Sequence, residues 1–251
     1  FIGNRIGCLW MLAGLHLADK AMRDDGLNIE TIDALTSAPL GLPPTGLYGL
    51  IDLIGLDVMH NVGNNLRDNL PADDAGRRFT QFPDAVQRLH DRGQLGRKSG
   101  GGFYKLIRHD DGAKTMQVFD LAADDWRVAE RVELPAHEQH LTGLFDSDSA
   151  NGRFVRDLVT TTLCYAADLV PEISDDIVNI DRAMRWGFNW QHGPFQLIDQ
   201  LGAARLAATL TATNSPQPKM LRVLADSDAE SFYRDDGREY LTVDRKWERV
   251  K

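Results

Sequence analysis

"TGLYGLIDLIG" at residues 45–55 and "HGPFQLIDQLG" at 192–202 are one pattern met twice in a chain of 251 residues. Both stretches carry Gly in second place, Leu-Ile-Asp in the middle and Gly at the end. The flanks repeat as well. "IDAL" at 32–35 is answered by "IDRA" at 180–183, and "FYKLIRHDDG" at 103–112 by "FYRDDG" at 232–237. After these come "VFD" and "WRV" in the first half, and "TVD" and "WERV" in the second. So many matches in one order read as an internal duplication.

Each copy reads as a set of helices. Ile2, Ile6, Leu9, Ala13 and Leu17 recur at steps of three or four, one face of an amphipathic helix that stops near Asp24-Asp25-Gly26. Phe154, Leu158, Thr161, Tyr165 and Leu169 mark its counterpart. "SDDIVNIDRAMRWG" at 174–187 reads as a capped helix with Ser174 at its start. Gly55 and Gly93 end two further helices, and Pro83 suits the first turn of the second of these. The Asp-Asp-Gly turns predict a β-hairpin closing each copy. The fold expected is therefore mainly α, with two repeated helical domains at 1–130 and 150–251. Residues 131–149, polar and carrying Pro135, are the expected linker.

A formal net charge of -9 argues against a nucleic-acid partner, which would want a basic face. No apolar run reaches the length of a membrane span. Cys8 and Cys164 read as reduced, small hydrophobes in helices, as in a cytoplasmic protein. "HEQH" at 137–140 is not the HExxH zinc pattern, and no metal site is expected. Asp52 and Asp199 hold the same place in both copies and read as structural. The five Trp (Trp10, Trp126, Trp186, Trp190, Trp247) read as core and hairpin packing.

Two residues stand out by being unmatched. Asn4, in "FIGNR", is a poor choice for a helix interior. On pattern alone it reads more readily as a solvent-facing residue or a cap at the chain's start. Lys98, in "LGRKSGGG" at 95–102, sits in a mobile, cationic, donor-rich loop suited to a phosphate or carboxylate, though on its own it reads more readily as an ordinary solvated loop. The second copy has Asp157 opposite Asn4, and "ADSDAESFY" opposite "GRKSGGGFY". The apolar framework is kept and these polar features are not. A scaffold is needed twice and a site only once, which raises both residues.

Together these motifs resemble the C-terminal domain of L-3-hydroxyacyl-CoA dehydrogenases, the NAD-dependent enzymes of fatty-acid β-oxidation. "FIGNR" is similar to the family's FIxNR start. "GPFQLIDQLG" resembles its Gly-Pro-Phe-x-Leu-x-Asp-x-x-Gly motif, and "LGRKSGGGFYK" its Gly-Lys-Lys-Thr-Gly-x-Gly-Phe-Tyr signature. The first copy departs at Leu47 and Tyr48, where the family has Pro-Phe. The fold implied is that of 6-phosphogluconate dehydrogenase C-terminal domains, and the substrate an acyl-CoA.

The resemblance implies that Asn4 is the active-site Asn that holds the substrate's 3-oxygen near a catalytic His, and that Lys98 reaches the cofactor. It also implies an upstream Rossmann domain carrying the glycine fingerprint and that His. Neither is among these residues, so the chain reads as a fragment expected to be inactive alone. Tandem C-terminal domains resemble multifunctional enzymes with a fused enoyl-CoA hydratase. Single-copy members pair through this domain, so the two copies are expected to form an intramolecular pseudo-dimer. The rival readings are a non-catalytic helical assembly module, or the C-terminal domain of another NAD(P)-dependent dehydrogenase.

Overall fold

The computed structural model describes residues 2–251; Phe1, the first residue of "FIGNR", lies outside them. The chain forms two bodies, one of residues 11–156 and one of residues 2–10 with 157–251. Among the described residues the protein is mostly helical, with two small antiparallel sheets.

Helix α1 (Ile2–Asp25) belongs by its first nine described residues to the second body and by the rest to the first. The larger body continues with α2 (Ile29–Leu35), α3 (Gly46–Ile54), α4 (Leu56–Asn69) and α5 (Asp84–Asp91). Asn28 caps α2 by accepting from the Thr31 N–H at 2.8 Å. Strands β1 (Tyr104–Arg108), β2 (Lys114–Asp120) and β3 (Asp125–Val128) follow as a meander. The stretch read as linker carries a 3-10 turn at Ala136–Glu138 and helix α6 (Leu141–Asp146), whose Leu141, Leu144 and Phe145 are buried. The core of this body is built from Leu12, Leu15, Ile32, Leu35, Leu47, Tyr48, Ile51 and Phe103, all with 1% exposure or less.

The other body holds α7 (Ala150–Asp168) from residue 157 onward, then α8 (Ile177–Gly187), α9 (Pro194–Leu201), α10 (Ala203–Ala212) and α11 (Lys219–Ala225). It closes with β4 (Tyr233–Arg234), β5 (Glu239–Leu241) and β6 (Trp247–Arg249). Ile6, Leu158, Ile180, Phe195, Ile198, Leu206 and Phe232 form its core.

Three expectations are corrected here. Each sheet has three strands rather than a two-stranded hairpin, because the Trp-containing segments at 126–128 and 247–249 add a third strand to the Asp-Asp-Gly hairpin. Leu241 pairs with Trp247 as Phe119 pairs with Trp126, so "VFD" matches residues 240–242 and not the "TVD" at 242–244, which lies in the following turn. The cap of α8 is Asp176, not Ser174: its carboxylate accepts from the Asn179 N–H at 2.7 Å while the Ser174 hydroxyl donates to the Asp176 carbonyl.

The motif that opened the sequence reading has a local reason in each body. Gly55 and Gly202 have φ of 103° and 89°, a region that side chains rarely enter, and there α3 turns into α4 and α9 into α10. A Cβ on Gly46 would lie 2.4 Å from the Asp33 Cα, and one on Gly193 would lie 2.2 Å from the Asp181 Cα. Those glycines let two carboxylates approach a helix start.

Candidate functional site

Asn4 lies in the first turn of α1, exposed, and its side-chain amide makes no hydrogen bond to a described residue. Its neighbours along the helix are all engaged. Arg5 donates from Nε to the Tyr165 hydroxyl at 2.6 Å and from Nη2 to the Glu172 carboxylate at 3.3 Å. Gly3 and Gly7 present bare backbone to the ring of Phe188. A side-chain amide offers two donors and an acceptor without carrying charge, the equipment needed to hold a carbonyl or hydroxyl oxygen.

Lys98 lies in the larger body, in a 3-10 turn at Arg97–Ser99. The loop is closed on itself by its own hydrogen bonds. Gly96 and Gly101 exchange backbone hydrogen bonds at 3.3 and 3.2 Å. The Ser99 hydroxyl accepts from the Leu95 N–H at 2.8 Å and lies within 3.0 Å of the Gly96 and Gly101 carbonyls. Lys98 Nζ stands 2.5 Å from Asp57 Oδ1 beside the Gly55 elbow, and about half of its side chain is exposed. The ammonium holds the Asp57 carboxyl below its ordinary range.

Asn4 and Lys98 thus belong to different bodies, each with its own fixed surroundings. Between the helices and the sheet of each body runs a set of bonds that sequence reasoning only half identified. Asp52 accepts from the Phe103 and Tyr104 N–H groups at 2.9 and 2.7 Å, and Asp199 from the Phe232 and Tyr233 N–H groups at 2.7 and 2.9 Å. Their structural role is as expected. Asp33 and Asp181 were missed. Asp33 accepts from the Tyr48 and Gly49 N–H groups and the Tyr104 hydroxyl. Asp181 accepts from those of Phe195 and Gln196 and from the Tyr233 hydroxyl. Burial pushes Asp33 and Asp181 up to about 7 and Asp52 and Asp199 up to about 6, against the downward pull of the bonds they accept. The signal for Asp33 and Asp181 lay in the sequence: both stand in the similar stretches "IDAL" and "IDRA".

Other expectations meet the structure as follows. Among the described residues no group of three His, Cys, Asp or Glu could hold a metal ion. In "HEQH", Glu138 is buried and accepts from Ser149 and Asn151 at 2.6 Å, while His137 is exposed. Both cysteines are free, and burial pushes the Cys8 thiol up to about 11 and the Cys164 thiol up to about 12. Trp186 is not packed: it is 76% exposed, with Arg182 over its ring. No helix of the described residues is long and apolar enough to cross a membrane.

Residues 1–106 match the family model described as 3-hydroxyacyl-CoA dehydrogenase, C-terminal domain. A Rickettsia prowazekii protein described as a fatty acid oxidation complex trifunctional enzyme is 33% identical over 88% of this chain and 30% of its own length. A Bacillus subtilis protein described as a 3-hydroxyacyl-CoA dehydrogenase is 30% identical over 93% of this chain and 29% of its own length. The crystal structure of 3-hydroxybutyryl-CoA dehydrogenase from Escherichia coli has a similar fold, with a TM-score of 0.57 and 21% identity, covering 88% of this chain and 58% of that one. Over residues 1–106 this chain is thus similar to the C-terminal domain of the 3-hydroxyacyl-CoA dehydrogenases. It spans less than a third of the length of those two curated relatives.

Proposed function

We propose that this chain is the helical, substrate-side part of an NAD-dependent L-3-hydroxyacyl-CoA dehydrogenase, which oxidises a 3-hydroxyacyl-CoA to the 3-oxoacyl-CoA. The observation that carries the reading is the family match over the segment holding both "FIGNR" and "GRKSGGGFY". Asn4 supports it by offering an unengaged amide at the exposed start of a long helix.

In this reading the Asn4 amide donates to the substrate's 3-oxygen as that oxygen passes between hydroxyl and carbonyl, holding it in one place without adding a charge. Bound NAD would supply the acceptor for the hydride of the carbinol carbon, and the hydroxyl proton would pass to a base assigned, like the dinucleotide fold, to the rest of the enzyme. Its glycine-rich dinucleotide fold is not among these residues and is assigned to a separate Rossmann domain of the same enzyme. Lys98 fits an auxiliary contact to the cofactor, since Asp57 faces one side of its ammonium and the exposed remainder keeps donors for a second anionic group.

The duplication belongs to this proposal too. The paired Asp–Asp–Tyr bonding in the two bodies, made by corresponding residues with corresponding backbone groups, supports a second, degenerate copy at 150–251. Relatives described as trifunctional make a fused hydratase a reasonable further part of the enzyme.

The test is made in the complete enzyme carrying this chain, by following NADH consumption with acetoacetyl-CoA. Asn4→Ala is expected to lower kcat by about 10- to 1000-fold, as for loss of a polar contact to the reacting oxygen. An unchanged kcat would return Asn4 to an ordinary surface role.

A further inference from the structure

A reacting group must be held within about 0.5 Å of its productive position. For Asn4 that means holding the turns of α1 around it in place.

Three contacts along the first ten residues do so. The ring of Phe188 lies on the bare backbone of Gly3 and Gly7. A Cβ built on Gly7 would fall 2.1 Å from the ring's Cζ, and one on Gly3 would fall 3.3 Å from the Ala183 carbonyl oxygen. Arg5 bridges the Tyr165 hydroxyl and Glu172, with its guanidinium 5.8 Å from the centre of the Tyr165 ring. Two turns further on, Trp10 meets Trp190 edge to face at 5.9 Å. Every anchor comes from residues 157–251.

The spacing makes these contacts bear on Asn4. Successive residues turn by about 100° around a helix, so Gly3 and Arg5 flank Asn4 on either side, and Gly7 lies one turn along. Phe188 holds one flank and Tyr165 with Glu172 the other, leaving the amide itself exposed. Phe188 is in turn fixed as the residue that ends α8, its N–H donating to the Met184 carbonyl at 3.0 Å.

We infer that Phe188, Tyr165 and Glu172 are positioning residues for Asn4. They clamp the first turns of α1 so that its amide meets the substrate oxygen in one orientation. This rests on the proposal that Asn4 contacts the substrate. It gives residues 157–251 a task in the reaction although they lack counterparts of Asn4 and Lys98.

The experiment is a double-mutant cycle in the complete enzyme, with Asn4→Ala, Phe188→Ala and the pair, scored by kcat per folded enzyme. Phe188→Ala is expected to lower kcat by about 10- to 100-fold, as for a displaced positioning contact, and to change KM for NADH little. In the Asn4→Ala background it should lower kcat by less than about twofold, since an absent amide cannot be misplaced. Tyr165→Phe, which keeps the ring and removes only the hydroxyl that Arg5 uses, serves in the same cycle should Phe188→Ala fail to fold. If Asn4→Ala lowers kcat while the anchor variant leaves it intact, or if the two losses simply multiply, the positioning role is wrong. If Asn4→Ala itself has no effect, the proposal about Asn4 fails instead.

Discussion

The hydroxyl of Tyr104 donates to the Asp33 carboxylate at 2.8 Å across 71 residues of chain. Tyr104 opens β1 and Asp33 lies in α2, so the bond fastens the sheet of the larger body to its helices. Asp52 completes the fastening by accepting the backbone N–H groups of Phe103 and Tyr104. In the other body Tyr233, Asp181 and Asp199 make the same set.

Tyr104→Phe removes one donor from a buried carboxylate and leaves two backbone donors in place. A loss of about 1–3 kcal/mol of unfolding free energy is expected. Urea unfolding of the variant beside the parent measures it, and an unchanged midpoint would show the hydroxyl to be incidental.

The same carboxylates make stability depend on pH. Asp33 and Asp181 move from an ordinary value of 3.8 up to about 7 in the folded chain because they are buried. Between those values the folded state holds protons that the unfolded state has already released. Their favourable contribution is therefore complete below the unfolded value and is lost as pH rises through about 7. Unfolding midpoints should fall from pH 5 to pH 8, and Asp181→Asn should flatten that slope while weakening the fold at every pH. A wild-type midpoint that climbs over this range would contradict the assignment.

The helical framework was legible because its punctuation is local. Gly26, Gly55 and Gly93 end helices by their own backbone geometry, and the apolar steps in α1 follow from the helical period. Legibility ended where the outcome turns on which of several available backbone conformations or partners is adopted. Ser174 and Asp176 are both good caps, and only the extended backbone at Asp176 chooses between them. The glycines at 100–102 suggest freedom, yet the Ser99 hydroxyl and the Gly96–Gly101 pair close that loop. Asn4 was visible through its missing counterpart, whereas Phe188, Tyr165 and Glu172 were not. Each is an ordinary residue of its own element, and its importance lies in the backbone or guanidinium it meets in α1.

Two tryptophans four residues apart should behave oppositely. Trp190 is 5% exposed and meets Trp10, while Trp186 is 76% exposed. Trp190→Ala is expected to cost about 3–5 kcal/mol, as for a large buried aromatic, and Trp186→Ala about 0.5 kcal/mol or less. Comparable losses from the two would mean that Trp186 is covered in solution.

Buried and exposed arginine pairs should also separate. Glu30 is 7% exposed and receives both Nη groups of Arg127, at 2.6 and 2.8 Å, with the Glu130 N–H as its further donor. Arg127→Met strands that carboxylate, at a cost of about 2–4 kcal/mol once the partial exposure of Arg127 is allowed for. The Arg92–Asp124 pair is exposed on both sides, and Arg92→Ala should leave stability nearly unchanged. Thermal melts of both variants at low and high salt separate the cases, since only the exposed pair is screened.

Lys98 offers the last contrast, between stability and cofactor affinity. Its ammonium stands 2.5 Å from Asp57 Oδ1 on a half-exposed surface, so Lys98→Met should leave stability nearly unchanged. If Lys98 donates a charged hydrogen bond to the cofactor in the complete enzyme, the same variant should raise KM for NADH about tenfold and leave KM for the acyl-CoA unchanged. Asp57→Asn acts in the opposite sense. With the carboxylate neutralised, the ammonium has no competing anion beside it, and KM for NADH should fall or stay level. Steady-state kinetics of the two variants against each substrate decide the matter. A KM for NADH that ignores Lys98→Met would leave the lysine as a brace at the start of α4.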